Sequence, residues 1–334
     1  MSVYFVIGQY REKPAEGMQV LTRAVVDGLR REGRAVHVFE PTRMAAQLWQ
    51  ALRQRPTAVI FTHGPGTRAV MMSALLGRLT RARIVWLAPR PDLAACPPAL
   101  AALTRLDLVL SSRMTADLAG IVERCGALFV KTVHGVDRNR FRPLPAMPAH
   151  ERAAALGFAH PPQAPVLLHV GHIRPNRGLE LLVETKRRLG DRAELVVFGS
   201  PTFPPDEGLL EALRSVGAHV QVGFTPDLAR VYGAADLYLF PATDAQGGAI
   251  DLPLSVLEAL AVGVPVLTTP FGATPEVLAA VPGVTFAEPR DFAGRCDALL
   301  RDGHGPKRTS VSLPQEFDLA QLAGKVVRMV EAAP

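Results

Sequence analysis

Short runs of β-branched and other apolar residues alternate with amphipathic stretches along the whole chain. Residues 4–8 open the series as a strand. Residues 17–31 follow as a helix, with Met18, Leu21, Val25 and Leu29 recurring at three- and four-residue spacing. Strands are predicted over 36–39, 58–62, 84–88, 106–111 and 128–133, and helical patterns over 68–79 and 112–124 lie between them. Pro143, Pro145 and Pro148 then break the periodicity and read as an interdomain connection. A second series follows, with strands at 166–171, 194–199, 220–223, 236–240, 264–268 and 283–286. Helices at 179–189, 206–215, 227–234, 254–262 and 274–280 separate them, and a last amphipathic pattern covers 319–330. Such alternation predicts parallel sheets with helices on both faces, so the fold class is α/β. The expected organisation is two doubly wound domains, 1–145 and 146–315, with a final helical segment, 316–334, packing back on the first. Domains of this kind in tandem place a cleft between them, with the carboxyl ends of the strands facing it.

Composition narrows the function classes. With 334 residues, 48% apolar and 20% charged, the chain can build two ordinary cores. Aromatic residues at 6% are too few for base-stacking platforms. The net charge of +6 comes almost wholly from arginine, and no run of five like charges forms a basic tail, so nucleic acid is not the expected partner. Cys96, Cys125 and Cys296 are far apart and odd in number, which fits a reducing cytoplasm. The opening residues lack the basic and apolar blocks of a secretory leader, and no apolar stretch reaches 18 residues. A cytoplasmic protein is therefore expected.

Two constellations carry candidate chemistry. At 167–182, LLHVGHIRPNRGLELL runs from a strand through a turn bearing Gly171 into a helix that starts near Gly178. A helix amino terminus there, with Arg174 and Arg177 beside it, suits a phosphate; a plain β-α turn with two solvated arginines explains the same residues. Further on, Pro253 begins a helix on which Glu258 faces away from Leu254, Leu257 and Ala261. Its two carboxylate oxygens suit a ribose diol, although a lone helical glutamate is more often a solvated one. The turn FGATPE brings Glu276 onto the next helix, and THGPGTR at 62–68 brings His63 to the end of a first-domain strand.

Together these segments resemble the retaining glycosyltransferases of family 4. GVDRNRFRP at 135–143 is similar to the family's interdomain segment, GHIRPNRG to its phosphate-binding turn, and ADLYLFPA to the strand before its catalytic loop. VLEALAVGVPVLTT followed by FGATPEVL is similar to its donor-binding helix, strand and turn. The resemblance implies the GT-B fold, two Rossmann-like domains facing each other across a cleft. It implies transfer of a sugar from a nucleotide-sugar donor to an acceptor hydroxyl with retention, and no metal or other cofactor. By position, Arg177 matches the family's phosphate-binding lysine, Glu258 the second glutamate of its E-x7-E motif, and His63 a histidine near the donor sugar. His172 stands where an arginine is usual, with Arg174 two residues on. The donor-side residues it implies are Gly171, Arg174, Arg177, Glu258 and Glu276; the catalytic ones are His63, Asp251 and Glu258.

The main departure is Ile250, which occupies the place of the first motif glutamate, with Asp251 beside it to supply a carboxylate. A catalytically weak or inactive nucleotide-sugar-binding protein of the same fold is therefore the alternative. A dinucleotide-dependent oxidoreductase should show G-x-G-x-x-G after the first strand, but IGQYREKP stands there. The acceptor is left open among a lipid-linked sugar, a polysaccharide and a small metabolite. Residues 69–83, AVMMSALLGRLTRAR, mix apolar and arginine positions; they suit either packing on the sheet or a peripheral contact with the cytoplasmic face of a membrane.

Overall fold

The structure is a computed structural model that describes residues 2–12, 14, 16–40, 49, 53–62, 67–88, 105–243, 251–301, 308 and 313–332. The chain divides into two compact units: residues 1–135 with 316–334, and residues 136–315. The division falls at 135/136, before the proline run, rather than at 145/146 within it. Phe141 is buried and meets the Tyr232 ring edge-on at 6.1 Å, and Arg140 donates to the Pro226 carbonyl at 3.2 Å, so the connecting segment belongs to the second unit.

The first unit is built from β1 (Val3–Ile7), α1 (Gly17–Arg31), β2 (Ala35–Phe39), β3 (Ala58–Phe61), α2 (Thr67–Thr80), β4 (Arg83–Leu87), β5 (Leu108–Ser111), α3 (Ala116–Cys125) and β6 (Leu128–Lys131). Its six described strands are all parallel, in the order β2-β1-β3-β4-β5-β6. Parallel strands are buried on both faces, which is why β3 and β5 read as unbroken apolar runs. Phe5, Val59, Phe61, Ile84 and Trp86 face α2 and α3. Tyr4, Val6, Ile60, Val85 and Leu110 face α1 and the chain's last helix. On α2, Ser73 accepts a hydrogen bond from the Trp86 indole at 3.1 Å, so this buried ring keeps its polar atom satisfied.

The second unit runs α4 (Ala149–Leu156), β7 (Val166–Gly171), α5 (Leu179–Leu189), β8 (Glu194–Gly199), α6 (Glu207–Ser215), β9 (His219–Val222), α7 (Leu228–Ala234), β10 (Leu237–Phe240), α8 (Leu254–Val262), β11 (Val266–Thr268), α9 (Thr274–Leu278), β12 (Val284–Phe286) and α10 (Phe292–Leu299). Its strands are also parallel, in the order β12-β11-β10-β7-β8-β9. Counted from β7, this is a doubly wound order whose direction reverses between β7 and β10. A ligand crevice is expected outside the carboxyl ends of those two strands. Acceptor side chains start two of the helices: Asp206 receives Leu209 N at 3.0 Å, and Asp227 receives Arg230 N at 3.2 Å.

The chain then returns to the first unit as α11 (Leu322–Ala332), which packs along α1. Its Leu322, Val326 and Val330 are buried in the cluster that holds Leu21, Val25 and Leu29. The helices α4 and α10 had no counterpart in the periodicity. Both are short, eight residues each, and offer too few turns for an apolar stripe to stand out.

At the opposite end of the second sheet from its carboxyl edge, a set of arginines is purely structural. Asp236 receives Val166 N at 2.8 Å and Arg152 at 2.6 Å, while Arg152 and Arg308 also donate to the carbonyls of 233–235. Lys186 is buried in a similar role, donating to the Gly190 and Ala193 carbonyls at 2.8 Å each. Lys186→Met keeps the stem but strands both acceptors, and should lower stability by ~1–3 kcal/mol in urea unfolding. An unchanged midpoint would show that the two hydrogen bonds contribute nothing.

Candidate functional site

The second sheet reverses direction between β7 and β10, and Gly171, Arg177 and Glu258 lie in the segments at and after the carboxyl ends of these strands. Gly171 ends β7, and its carbonyl receives Ser200 N at 2.9 Å. The chain continues through a 3-10 turn, Pro175–Arg177, to Gly178 and into α5. Gly178 has φ +66, and a β carbon there would lie 2.1 Å from the Pro241 carbonyl oxygen. Only glycine lets this turn close on the end of β10. A second junction of this kind holds the loop before α8. Gly272 has φ +56, and a β carbon would lie 2.2 Å from the Asp251 carbonyl, which also receives Ala273 N at 2.8 Å.

Glu258 projects from α8, while Leu254, Leu257 and Ala261 on the same helix are buried as the spacing requires. The Tyr232 hydroxyl of α7 donates to its Oε2 at 2.9 Å. Although part of the side chain stays open, the protein packed around it is dense. Burial raises its pKa to about 7, against the opposing pull of the Tyr232 hydrogen bond and the Arg140 charge. Tyr232 is wholly buried between Phe141 and Tyr238, whose ring stands edge-on to it at 5.5 Å. Tyr238 in turn donates to the Val170 carbonyl at 3.2 Å and receives the Ser255 hydroxyl. The network thus joins α7, α8, β10 and β7.

His169, on β7, completes this cluster. Its Nδ1–H donates to the Leu239 carbonyl at 2.9 Å, and its ring stacks on Tyr238 with centroids 6.4 Å apart. Burial lowers its pKa to about 4, with the charges of Arg177 and His172 acting in the same direction, so it is neutral. Its Nε2 is a buried lone pair with no hydrogen-bond partner among the described residues, and it lies 3.0 Å from where a β carbon on Gly171 would be.

Arg177 is half-buried, and its charge acts on the titrations of both His169 and Tyr238. Arg174 is exposed and turns elsewhere. Its guanidinium lies over the Phe203 ring at 5.3 Å, and His172 meets the same ring edge-on at 5.3 Å. Asp251 is half-buried and anchored through its backbone, whereas Glu276 is exposed in the first turn of α9. The structure therefore sets Gly171, Arg177 and Glu258 each beside the His169–Tyr238 pair, and Arg174 and Glu276 nearer the surface. His63 and Ile250 lie outside the described residues. Tyr232, Tyr238, His169 and Arg140 went unnoticed in the sequence, where they look like ordinary core or linker positions. Among the described residues no group of three or more His, Cys, Asp or Glu side chains is gathered as a metal site.

Comparison with known proteins agrees with this architecture. Residues 164–302 match the family model described as Glycosyl transferases group 1. D-inositol 3-phosphate glycosyltransferase of Actinosynnema mirum is 34% identical over 219 residues, which are 60% of this chain and 49% of that protein. The enzyme of the same name from Mycobacterium sp. (strain JLS) is 29% identical over 215 residues, 60% of this chain and 46% of that one. The chain spans about half the length of the curated relatives it matches. Among solved structures, Anabaena HepE in complex with UDP-glucose aligns over 99% of this chain and 100% of its own, with TM-score 0.74 and 14% identity. WaaG, a glycosyltransferase involved in lipopolysaccharide biosynthesis, aligns over 99% and 100% with TM-score 0.66 and 17% identity. The fold is GT-B, two Rossmann-like α/β domains, and residues 164–302 of the second unit are similar to the Glycosyl transferases group 1 model.

The raised pKa of Glu258 makes a stability prediction. Its folded value of about 7 lies above the ordinary 4.5, so its contribution is fully present below pH 4.5 and is lost as pH rises through 7. Wild type should therefore lose, relative to Glu258→Gln, on the order of 3 kcal/mol between pH 5 and pH 8.5. Paired thermal melts across that range test this, and parallel curves would refute the shift.

Proposed function

We propose that the protein is a metal-independent, retaining glycosyltransferase of family 4, moving a sugar from a nucleotide-sugar donor to an acceptor hydroxyl. The observation that carries this reading is that Arg177 and Glu258 both act on Tyr238 beside the reversal point of the second sheet, within the segment that matches Glycosyl transferases group 1. HepE, similar in fold, was solved with UDP-glucose, which supports a nucleotide sugar as the ligand class.

In this reading the donor's diphosphate lies against the turn at Gly171 and Arg177. Arg174 swings from Phe203 to add a second charge. Glu258 accepts hydrogen bonds from the ribose hydroxyls, held in place by Tyr232. The bond between the anomeric carbon and the diphosphate oxygen breaks as the acceptor oxygen bonds to the same face. The acceptor's proton passes to a leaving phosphate oxygen, so no protein base is needed. Asp251 stands in for the carboxylate that Ile250 lacks, and His63 and Glu276 contact the donor. The guanidiniums stabilise charge as it develops on the leaving group, which is the largest contribution in this kind of chemistry. The acceptor is a lipid-linked sugar, a polysaccharide or a small metabolite, and the reaction takes place in the cytoplasm. A nucleotide-sugar-binding protein with weak or no turnover is the second reading, favoured by Ile250 alone.

Thermal-shift screening with UDP-, GDP- and ADP-sugars should raise the Tm with one base class. Arg177→Ala should then lower kcat/KM by about 100-fold, and Glu258→Ala should raise donor KM about tenfold. Stabilisation without turnover on a broad acceptor panel would favour the second reading. No stabilisation by any nucleotide sugar would reject both.

A further inference from the structure

The first unit carries a surface that the proposed chemistry does not use. Helix α2 buries Val70, Met72, Ser73, Ala74 and Leu76 against the sheet, yet it presents Met71 (51% exposed), Leu75 (39%) and Leu79 (51%) to solvent. These three recur every fourth residue and form one stripe on the outward face. Arg78, between Leu75 and Leu79, is exposed, and so is Arg81 just past the helix end.

Charge singles out the same region. Between Glu40 and Asp107 the chain has nine arginines, no lysine and one acidic residue, Asp92. The rest of the chain has 28 basic and 30 acidic residues, so the whole positive excess of +6 arises in this one segment. Arg53 and Arg55 are exposed like Arg78 and Arg81, and Arg53 lies 3.7 Å over the ring of Trp49, itself 60% exposed. Isolated apolar side chains on a surface need no explanation, but an apolar stripe with Arg78 and Arg81 beside it, in the chain's one strongly basic segment, matches a layer that is anionic outside and apolar beneath.

We propose that α2 is a peripheral docking surface for an anionic lipid bilayer, with Met71, Leu75 and Leu79 entering the acyl boundary and the exposed Arg78 and Arg81 meeting lipid phosphates. Duplex nucleic acid would use the charge but leave the three aliphatic side chains without a role. No described helix is long and apolar enough to cross a membrane, so the contact is a surface one.

Co-sedimentation of the full chain with phosphatidylglycerol–phosphatidylcholine vesicles tests the proposal. The protein should pellet with these vesicles at low salt, lose most of that binding at 0.5 M salt, and ignore pure phosphatidylcholine. Leu75→Glu with Leu79→Glu should weaken binding at least about tenfold. Arg78→Ser with Arg81→Asn should do the same, asparagine suiting the left-handed backbone at Arg81 (φ 56). Leu128→Glu, on the exposed edge strand β6 (47% exposed), should bind as wild type. All variants should keep the wild-type melting curve, since each changed side chain lies on the surface. Absence of binding to anionic vesicles at low salt would overturn the proposal. So would undiminished binding by the Leu75/Leu79 variant, an equal loss with Leu128→Glu, or binding to duplex DNA that is tighter than to vesicles.

Discussion

The candidate site depends on two backbone contacts that admit no side chain. At Gly178 the turn after β7 presses against the Pro241 carbonyl, and at Gly272 the turn after β11 presses against that of Asp251. These contacts fix the ends of neighbouring parallel strands relative to one another. A sheet of this order already diverges at its reversal point, where the connecting helices leave on opposite faces. The glycines determine how narrow the resulting notch is. Thr269 reinforces them, donating its hydroxyl to the Ala242 carbonyl and its backbone N–H to Phe240 at 3.2 Å.

Within that notch, burial acts in opposite directions on two titrating groups and takes both towards neutrality. Glu258 is made a weaker acid and His169 a weaker base. Tyr232 and Tyr238 link them, each hydroxyl giving its proton to a fixed acceptor, so their rings hold the orientation of the network. Arg177 retains its charge beside these near-neutral groups. An anion arriving there would meet the positive charge of Arg177 in a partly buried setting, where electrostatic attraction is less screened than in water. The arginines at the amino edge of the sheet differ in kind. Arg152 and Arg308 are committed to backbone carbonyls and to Asp236, and they hold the edge together.

The strands were legible because parallel strands buried on both faces leave unmistakable apolar runs, as in β3, β7 and β10. The helical setting of Glu258 was legible too, since Leu254, Leu257 and Ala261 mark the buried face and leave its carboxylate on another. Its partner was not. Tyr232 sits 26 positions away on a different helix and reads as core until the topology brings α7 against α8. His169 is hidden in a strand pattern for the same reason. The sequence also suggested that Arg174 and Arg177 act as a pair. Phe203, supplied by the loop after β8, draws Arg174 aside, and nothing near Arg174 in sequence signals that ring. The expected bound at 145/146 follows the prolines, which mark a break in periodicity, whereas the compact units divide at 135/136, and Phe141 is buried against Tyr232 of the second.

The return of α11 to the first unit has a consequence for the order in which the protein is made. Tyr4, Val6, Val25 and Leu29 share their core with Leu322, Val326 and Val330, yet roughly 190 residues separate β6 from that helix. At translation rates of about 5–20 residues per second, the interval is on the order of 10–40 s. The second unit, continuous in sequence, can close on itself within that time. The first must wait on the ribosome with one face of its sheet incompletely covered. The half of the protein that emerges first is therefore the last to finish folding, and its uncovered face is the stretch for which a chaperone would compete.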